Sequence, residues 1–365
     1  MQTFVADVGP SILPSDTEAV TEKPAKPSKV SVAHVVNEIK QALAKYREPS
    51  LPASLWQLSS TVVLFLGLTV GAWFLLQVSI WLALLAAIPA AVMIVRLFII
   101  HHDCGHGSFF KSRIANDVVG FILGVVSWTP YHSWRWTHAM HHGSTGDLDH
   151  RGWGDIPTLT VKEYFEMAAW KRFFYRLYRH PLVLFGVMPA FVFLLLQRWP
   201  FTYPKNIKKV RMSVHLTNLT LLAFTVGMCW LIGVVPFLVI CLLPAAIAGT
   251  IGVWLFYVQH QFEDAYWERH ENWDLFTAAF EGSSHYDLPR VLRWMTANIG
   301  LHHIHHLDSR IPNYRLQKCL DSIPELQHAP RLTFWQSLGC MRLKLWDEDR
   351  KCMVTFREAH AIAGR

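Results

Sequence analysis

Charge is scarce in this chain: Asp, Glu, Lys and Arg make up 17% of its 365 residues, against 52% hydrophobic. That ratio is too apolar for one ordinary soluble domain. Cysteine is also sparse. The six, Cys104, Cys229, Cys241, Cys319, Cys340 and Cys352, show no C-x-x-C spacing, which argues against a disulfide framework or a zinc ribbon and leaves reduced thiols. Residues 1–52 contain neither the apolar core nor the small-residue cleavage site of a signal peptide; rich in Pro, Lys and Glu, they are expected to form a cytosolic tail, disordered to about Lys29. A short amphipathic helix is expected next, from Val32, Val35, Val36, Ile39 and Leu43 up to Tyr46, lying on the membrane surface. Internal repeats and heptad runs are absent.

What the chain does contain is apolar blocks of membrane-spanning length. Leu55–Leu76 and Ile80–Ile100 each approach the roughly 20 residues that cross a bilayer and are separated by a few residues, so they predict a helical hairpin. Two further spans are predicted at Val214–Val235 and Phe237–Val258, joined near Pro236. The apolar run Asp117–Trp128 is too short to cross and reads as interfacial or re-entrant. Leu182–Leu196, interrupted by Gly186 and Pro189, is assigned the same way, because a crossing there would put the basic loop Lys205, Lys208, Lys209 and Arg211 outside. The net charge of +7 then reflects membrane topology and anionic headgroups, with no nucleic-acid partner expected. The fold class expected is an all-α integral membrane protein with about four transmembrane helices, interfacial or re-entrant helices and a helical cytosolic cap. The divisions are a tail at 1–52, a membrane domain at 53–320 and a cytosolic C-terminal cap segment at 321–365, with both termini inside. Arg96, near the inner end of the second span, is expected to snorkel to the headgroups.

The chain has 20 histidines, and they cluster in three boxes: His102-Asp103-Cys104-Gly105-His106, His138-Ala139-Met140-His141-His142 and His302-His303-Ile304-His305-His306. Residues three and four apart share a helix face, so each box aims its imidazoles in one direction. All three boxes fall just beyond the inner ends of predicted spans, on one side of the membrane. Neutral imidazole is a common ligand for first-row transition metals. Eight box histidines exceed what one ion accepts, which implies two metals. An all-oxygen calcium or magnesium site would not use histidines, and zinc needs only three or four ligands. An all-nitrogen metal pair at a membrane surface points to oxygen chemistry on a lipid-soluble substrate, with iron the leading ion.

The segments HDCGH, SWRWTHAMHH and NIGLHHIHH followed by LDSRIPNYRL, in that order, resemble the membrane-bound fatty acid desaturases, nearest to the acyl-lipid omega-6 (delta-12 type) enzymes and their bacterial relatives. The resemblance covers roughly Leu55 to Leu320. It implies a non-haem di-iron centre that uses O2 as cosubstrate and two electrons to place a cis double bond in the acyl chain of a membrane lipid. It also implies a ligand set: His102 and His106, then His138, His141 and His142, then His302, His305 and His306, with His260 of the Gln259-His260 pair as a ninth. Asn298, expected one helical turn before His302, is a candidate to complete the shell through a water.

Neighbouring residues are weighed against these. His101 is five residues from His106 and off its face; His303 lies on the turned-away side; His132, His150, His270 and His285 are expected at solvent or headgroups. Asp103, Asp155, Glu263 and Asp308 could orient imidazoles through their second nitrogens. Trp128, Trp134 and Trp136 suit an acyl tunnel or an interfacial aromatic belt equally. No His-Pro-Gly-Gly haem motif of a fused cytochrome b5 domain is present, so the electron donor is expected to be separate, a ferredoxin or else cytochrome b5, docking on the basic surface at Lys171 to Arg179 and Lys205 to Arg211. The expected location is a bacterial inner membrane with the active site cytoplasmic. Related di-iron hydroxylases or ketolases acting on acyl chains, alkanes or carotenoids are the alternative activity. A histidine-bearing metal transporter or di-haem protein would place its histidines within the spans.

Overall fold

The computed structural model describes residues 29–364 except Trp153, 201–202 and 204–206, with side chains from Val36 onward; the expected disordered tail and Lys205 lie outside the described residues. Among the described residues, four helices are long and apolar enough to cross a membrane: Leu51–Val78 (α2), Ile80–His106 (α3), Lys208–Ile232 (α9) and the continuous run Val234–His260, built from α10 (Val234–Phe237), a π-helical turn and α11 (Leu243–His260). Their apolar surfaces explain the sequence pattern: Trp56, Phe74, Trp81, Leu219 and Trp230 point outward where a soluble protein would place polar groups. The α2–α3 turn is tight because Ser79 is extended and caps α3 by accepting from the Trp81 N–H.

Several spans run past their predicted ends. Helix α3 continues to His106, so the whole first box lies on one helix, closed by Gly107 at φ +71. The intervening helices are short. α4 (Arg113–Val126) is an amphipathic piece of 14 residues, and α5 (Tyr131–Ser144) carries the second box. After α6 (Val161–Glu166), α7 (Ala169–Tyr178) meets the segment Leu182–Arg198, which includes α8 (Met188–Leu194), at a 58° bend. That geometry suits a re-entrant or broken span.

The polar end is built from α12 (Leu275–Glu281), α13 (Arg290–Met295), α14 (His302–Leu307), α15 (Asn313–Ser322), α16 (Phe334–Cys340) and α17 (Phe356–Ala363), with short strands among them. The described residues are mainly helical, as expected of the fold class, but this end is not purely so. β1 (Leu159–Thr160) pairs in parallel with β4 (Leu345–Asp347), Leu159 opposite Leu345, and β4 pairs antiparallel with β5 (Cys352–Val354). β2 (His285–Asp287) and β3 (Arg331–Thr333) form a second parallel pair. Strands this short fall below what period-2 patterning can reveal.

Three expectations are revised. α1 (Lys29–Ala44) does not lie free on a membrane surface: Ile39 and Leu43 are buried among Leu301, Ile304, Ile311 and Leu316, so the helix packs beneath the third box. Arg96 does not snorkel. It is buried, donates from Nε to Thr61 Oγ1 at 3.1 Å and from Nη1 to the Trp294 carbonyl, and stacks on the Trp294 ring at 4.4 Å, tying two spans to the polar end. Arg179, placed by sequence in a basic docking surface, is wholly buried, where its guanidinium donates to Gln261 Oε1, the Tyr257 hydroxyl and the Leu343 and Pro157 carbonyls.

Candidate metal centre

Each histidine is delivered by an element whose local geometry follows from its spacing. On α3, His102 and His106 stack one above the other; on α5, His138 and His142 share one face while His141 is rotated toward a second. On α14, His302 and His306 share a face and His305 turns away from it. Two groups result. His102, His106, His138, His142 and His305 form one, and His141, His260, His302 and His306 the other, with the available ligand nitrogens of each group within 4.8 Å of one another. The nine residues named from sequence are therefore the nine brought together. Boxes two and three each feed both groups, and the stacked rings of His142 and His306, 4.1 Å apart, join them.

The Nε2 atoms face inward. His102 lies 3.0 Å from His138, His138 3.1 Å from His142, and His142 3.0 Å from His305. In the second group His141 lies 3.2 Å from His260, His260 3.0 Å from His302, and His302 3.1 Å from His306.

The outer nitrogens decide what those contacts mean. His141 Nδ1 lies 2.5 Å from the Asp155 carboxylate and His260 Nδ1 lies 3.0 Å from the Gly282 carbonyl. Both partners only accept, so in the neutral rings each proton sits on Nδ1 and each Nε2 carries a lone pair. With both rings in the neutral form that binds metal, two lone pairs would face each other across the 3.2 Å between the Nε2 atoms. That arrangement is repulsive unless a cation lies between, and it fits a metal bound through Nε2 with Nδ1 anchored by a second partner. His102 repeats the pattern, its Nδ1 lying 3.1 Å from Asp103 Oδ1. On α5 and α14, burial first and neighbouring imidazoles second push His138, His142, His302, His305 and His306 well below the ordinary histidine range, so these rings are neutral and able to bind metal.

Of the orienting carboxylates, Asp103 and Asp155 hold imidazoles, whereas Glu263 is exposed and Asp308 pairs with Arg47 and Arg310. Asn298 is not on the His302 helix, which begins at His302; it sits in the preceding turn at φ +59, and its Nδ2 lies 3.3 Å from the Asn313 carbonyl. His101 is buried away from both groups with Nδ1 2.8 Å from the Gly120 carbonyl, and His303 faces Phe280 and His285. His132 hangs on Ser213 through its backbone N–H. His150 and His270 are not plain solvent contacts, since both reach Asp147. Sequence reasoning missed the roles of Gly282 and Asn313, neither of which any spacing rule marks.

Below the histidines a cavity of about 450 Å³ runs between α3, α8 and α11, lined by Ile94, Phe98, Met188, Val192, Phe193, Ala248, Gly252 and Phe256 and closed at its polar end by His102, His138 and His302. Trp134 lines it; Trp136 instead packs edge-on against Tyr203. An apolar tube ending at a nitrogen-lined centre accepts an alkyl chain and excludes water.

A family model described as Fatty acid desaturase matches residues 79–337. The chain belongs to the fatty acid desaturase family. This desaturase is 42% identical over 327 residues to a Bacillus subtilis (strain 168) protein named Fatty acid desaturase, covering 90% of this chain and 92% of that one. It is 26% identical over 327 residues to an sn-1 oleoyl-lipid 12-desaturase of Synechocystis sp., covering 87% of each. An sn-1 acyl-lipid omega-3 desaturase (ferredoxin) of a Nostoc species is 28% identical over 262 residues, covering 66% of this chain and 68% of that one. The desaturase is accordingly an oxidoreductase of fatty acyl chains, held in a membrane by its apolar helices, with histidine clusters able to bind metal.

Proposed function

We propose that this desaturase introduces a cis double bond into an acyl chain of a membrane lipid, with omega-6 (delta-12 type) selectivity, through two iron ions held by His102, His106, His138, His142 and His305 on one side and His141, His260, His302 and His306 on the other. The observation that carries this reading is the pair of opposed Nε2 atoms on His141 and His260, each ring anchored through Nδ1, beside an apolar cavity lined at its polar end by His102, His138 and His302. Bound iron would supply the activation of O2. The overall balance removes two hydrogens from adjacent methylenes, takes two electrons and two protons from outside, and leaves two waters.

The chain's own residues do the rest. The cavity wall aligns the methylenes and keeps water out, which confines reaction to the carbons beneath the histidines. Asp103, Asp155 and the Gly282 carbonyl fix the tautomers of His102, His141 and His260, which keeps the Nε2 of those three rings free for metal. We assign catalysis to residues 53–320, with Asn298 supporting the centre from its turn through a water. The polar end faces the cytoplasm of a bacterial inner membrane, with both termini inside, and a separate ferredoxin supplies the electrons; exposed Lys208 and Lys209 at the start of α9 suit an acidic donor.

The deciding experiment is expression in a bacterial host whose lipids are monounsaturated, together with a ferredoxin and its reductase. The expected result is a new cis,cis-diene in the lipid acyl profile. An unchanged profile despite a competent donor would remove the omega-6 assignment, and an oxygenated acyl product would replace desaturation with hydroxylation.

A further inference from the structure

A third group of side chains able to ligate a metal, Asp147, His150 and His270, is separate from the two histidine groups. Asp147 follows α5 in a turn, His150 is three residues on, and His270 opens the 3-10 turn His270–Asn272 on a separate segment. Both imidazoles aim Nδ1 at one atom: Asp147 Oδ2 lies 2.8 Å from His150 Nδ1 and 2.7 Å from His270 Nδ1. The rings stand 4.3 Å apart at 79°, edge to face rather than stacked. Asp147 is buried, and its other oxygen accepts the Asp149 N–H at 3.0 Å, which fixes the carboxylate and leaves Oδ2 to the histidines.

The frame around this triad is rigid. Leu148 N–H donates to the Glu268 carbonyl and Glu268 N–H to the Gly146 carbonyl, both at 2.9 Å, lashing the two segments together. Gly146, at φ +73, allows that approach: a Cβ there would lie 2.7 Å from the Tyr266 carbonyl oxygen. Trp273 stacks near the His270 ring and donates Nε1–H to the Thr145 carbonyl at 3.0 Å. The triad is thus held by backbone on both sides while its imidazoles remain more than half exposed, 58% for His150 and 60% for His270.

We propose that Asp147, His150 and His270 form a third metal site, taking a borderline divalent cation of the zinc class in a two-histidine, one-carboxylate set with a water-accessible fourth position. Ligand atoms around tetrahedral zinc lie roughly 3.3 Å apart for bonds of about 2.0–2.1 Å, so the imidazoles need to move outward by about half an ångström. Their exposure permits it. Binding requires both rings to carry their proton on Nε2, which leaves each Nδ1 lone pair for the ion. The ion would clamp the loop that leaves the second histidine box to the loop that leaves His260, holding the open ends of the catalytic centre in register.

The test uses the full chain in detergent, with whatever metal its histidine clusters retain after purification, equilibrated with micromolar ZnCl2 in millimolar Mg2+ and separated from free ion. Zinc and iron per chain are measured for the unaltered protein, His150→Ala and His270→Ala. The expected result is about one more zinc in the unaltered chain than in either variant, with equal iron in all three, and a zinc-dependent rise in melting temperature that both variants lose. Equal zinc in all three chains overturns the site and leaves a hydrogen-bonded clasp. If His270→Ala loses iron through damage to its loop, His150→Ala decides alone, because that side chain is surface-exposed. Because iron is counted separately, failure of the third site is distinguishable from failure of the di-iron reading.

Discussion

Asp103 and Asn313, 210 residues apart, are joined twice: Asp103 Oδ2 accepts the Asn313 backbone N–H at 2.7 Å and its Nδ2–H at 2.8 Å. The other carboxylate oxygen lies 3.1 Å from His102 Nδ1, and Asn313 Oδ1 accepts from Gln57 Nε2 at 2.8 Å. One buried carboxylate thereby aligns the first box, the segment after the third box and the first span. Replacing Asp103 by Asn removes a charge-assisted anchor and sets the amide of one side chain against that of the other. Iron affinity is expected to fall by about 10–100-fold, with activity falling in proportion. Iron per chain after graded chelation measures this, and wild-type retention would reduce Asp103 to a packing role.

His141 and His303 separate metal binding from mere burial. Both are buried, yet only His141 directs Nε2 into a cluster, toward His260. His141→Ala is expected to lose metal and activity together. His303→Ala leaves a cavity beside Phe280, lowering the melting temperature while the iron content holds. Elemental analysis alongside thermal unfolding checks both, and full iron in His141→Ala would remove it from the ligand set.

The contrast between these two shows what a sequence can convey. Periodicity on α3, α5 and α14 placed eight box histidines on faces, and the apolar runs placed the four spans, because both signals are local and repeat along the chain. His101 and His303 were excluded by the same spacing. Roles that depend on distant segments were invisible: Gly282 is recognisable only once its carbonyl meets His260, and Arg179 reads as a surface cation until Tyr257 and Gln261 surround it. Arg96 failed for the same reason, since a position near a helix end says nothing of Trp294 waiting across the fold.

Chain-length selectivity is expected to sit at Gly252. It lines the cavity, and a Cβ there meets nothing within 4 Å, so a larger side chain projects into the space an alkyl tail would fill. Gly252→Phe is expected to shift products toward shorter acyl chains with iron content unchanged. Gly249 is the control: its Cβ would come within 3.1 Å of the Phe193 ring, so Gly249→Ala crowds the wall rather than the tube. Gas chromatography of acyl products from mixed-length lipids reads the difference, and an unaltered distribution in an active Gly252→Phe enzyme would place the chain elsewhere.

Alkaline pH tests the buried cations beneath the polar end. Lys344 is buried, with Nζ donating to the Arg179 carbonyl at 2.6 Å and to the Met341 carbonyl. Burial, and then the nearby Arg179 guanidinium, lowers its pKa to about 8 from 10.5. Between those values the unfolded chain binds more protons than the folded one, so stability contributed by this group rises with pH. The cost of the buried charge is full below about pH 8 and relieved toward pH 10.5, amounting to at most about 3 kcal/mol. Lys344→Met has no such group. Between pH 8 and pH 10 the unaltered protein is therefore expected to gain melting temperature relative to Lys344→Met, measured in parallel scans in the same detergent. A constant difference across that range would show that Lys344 titrates as an ordinary exposed lysine.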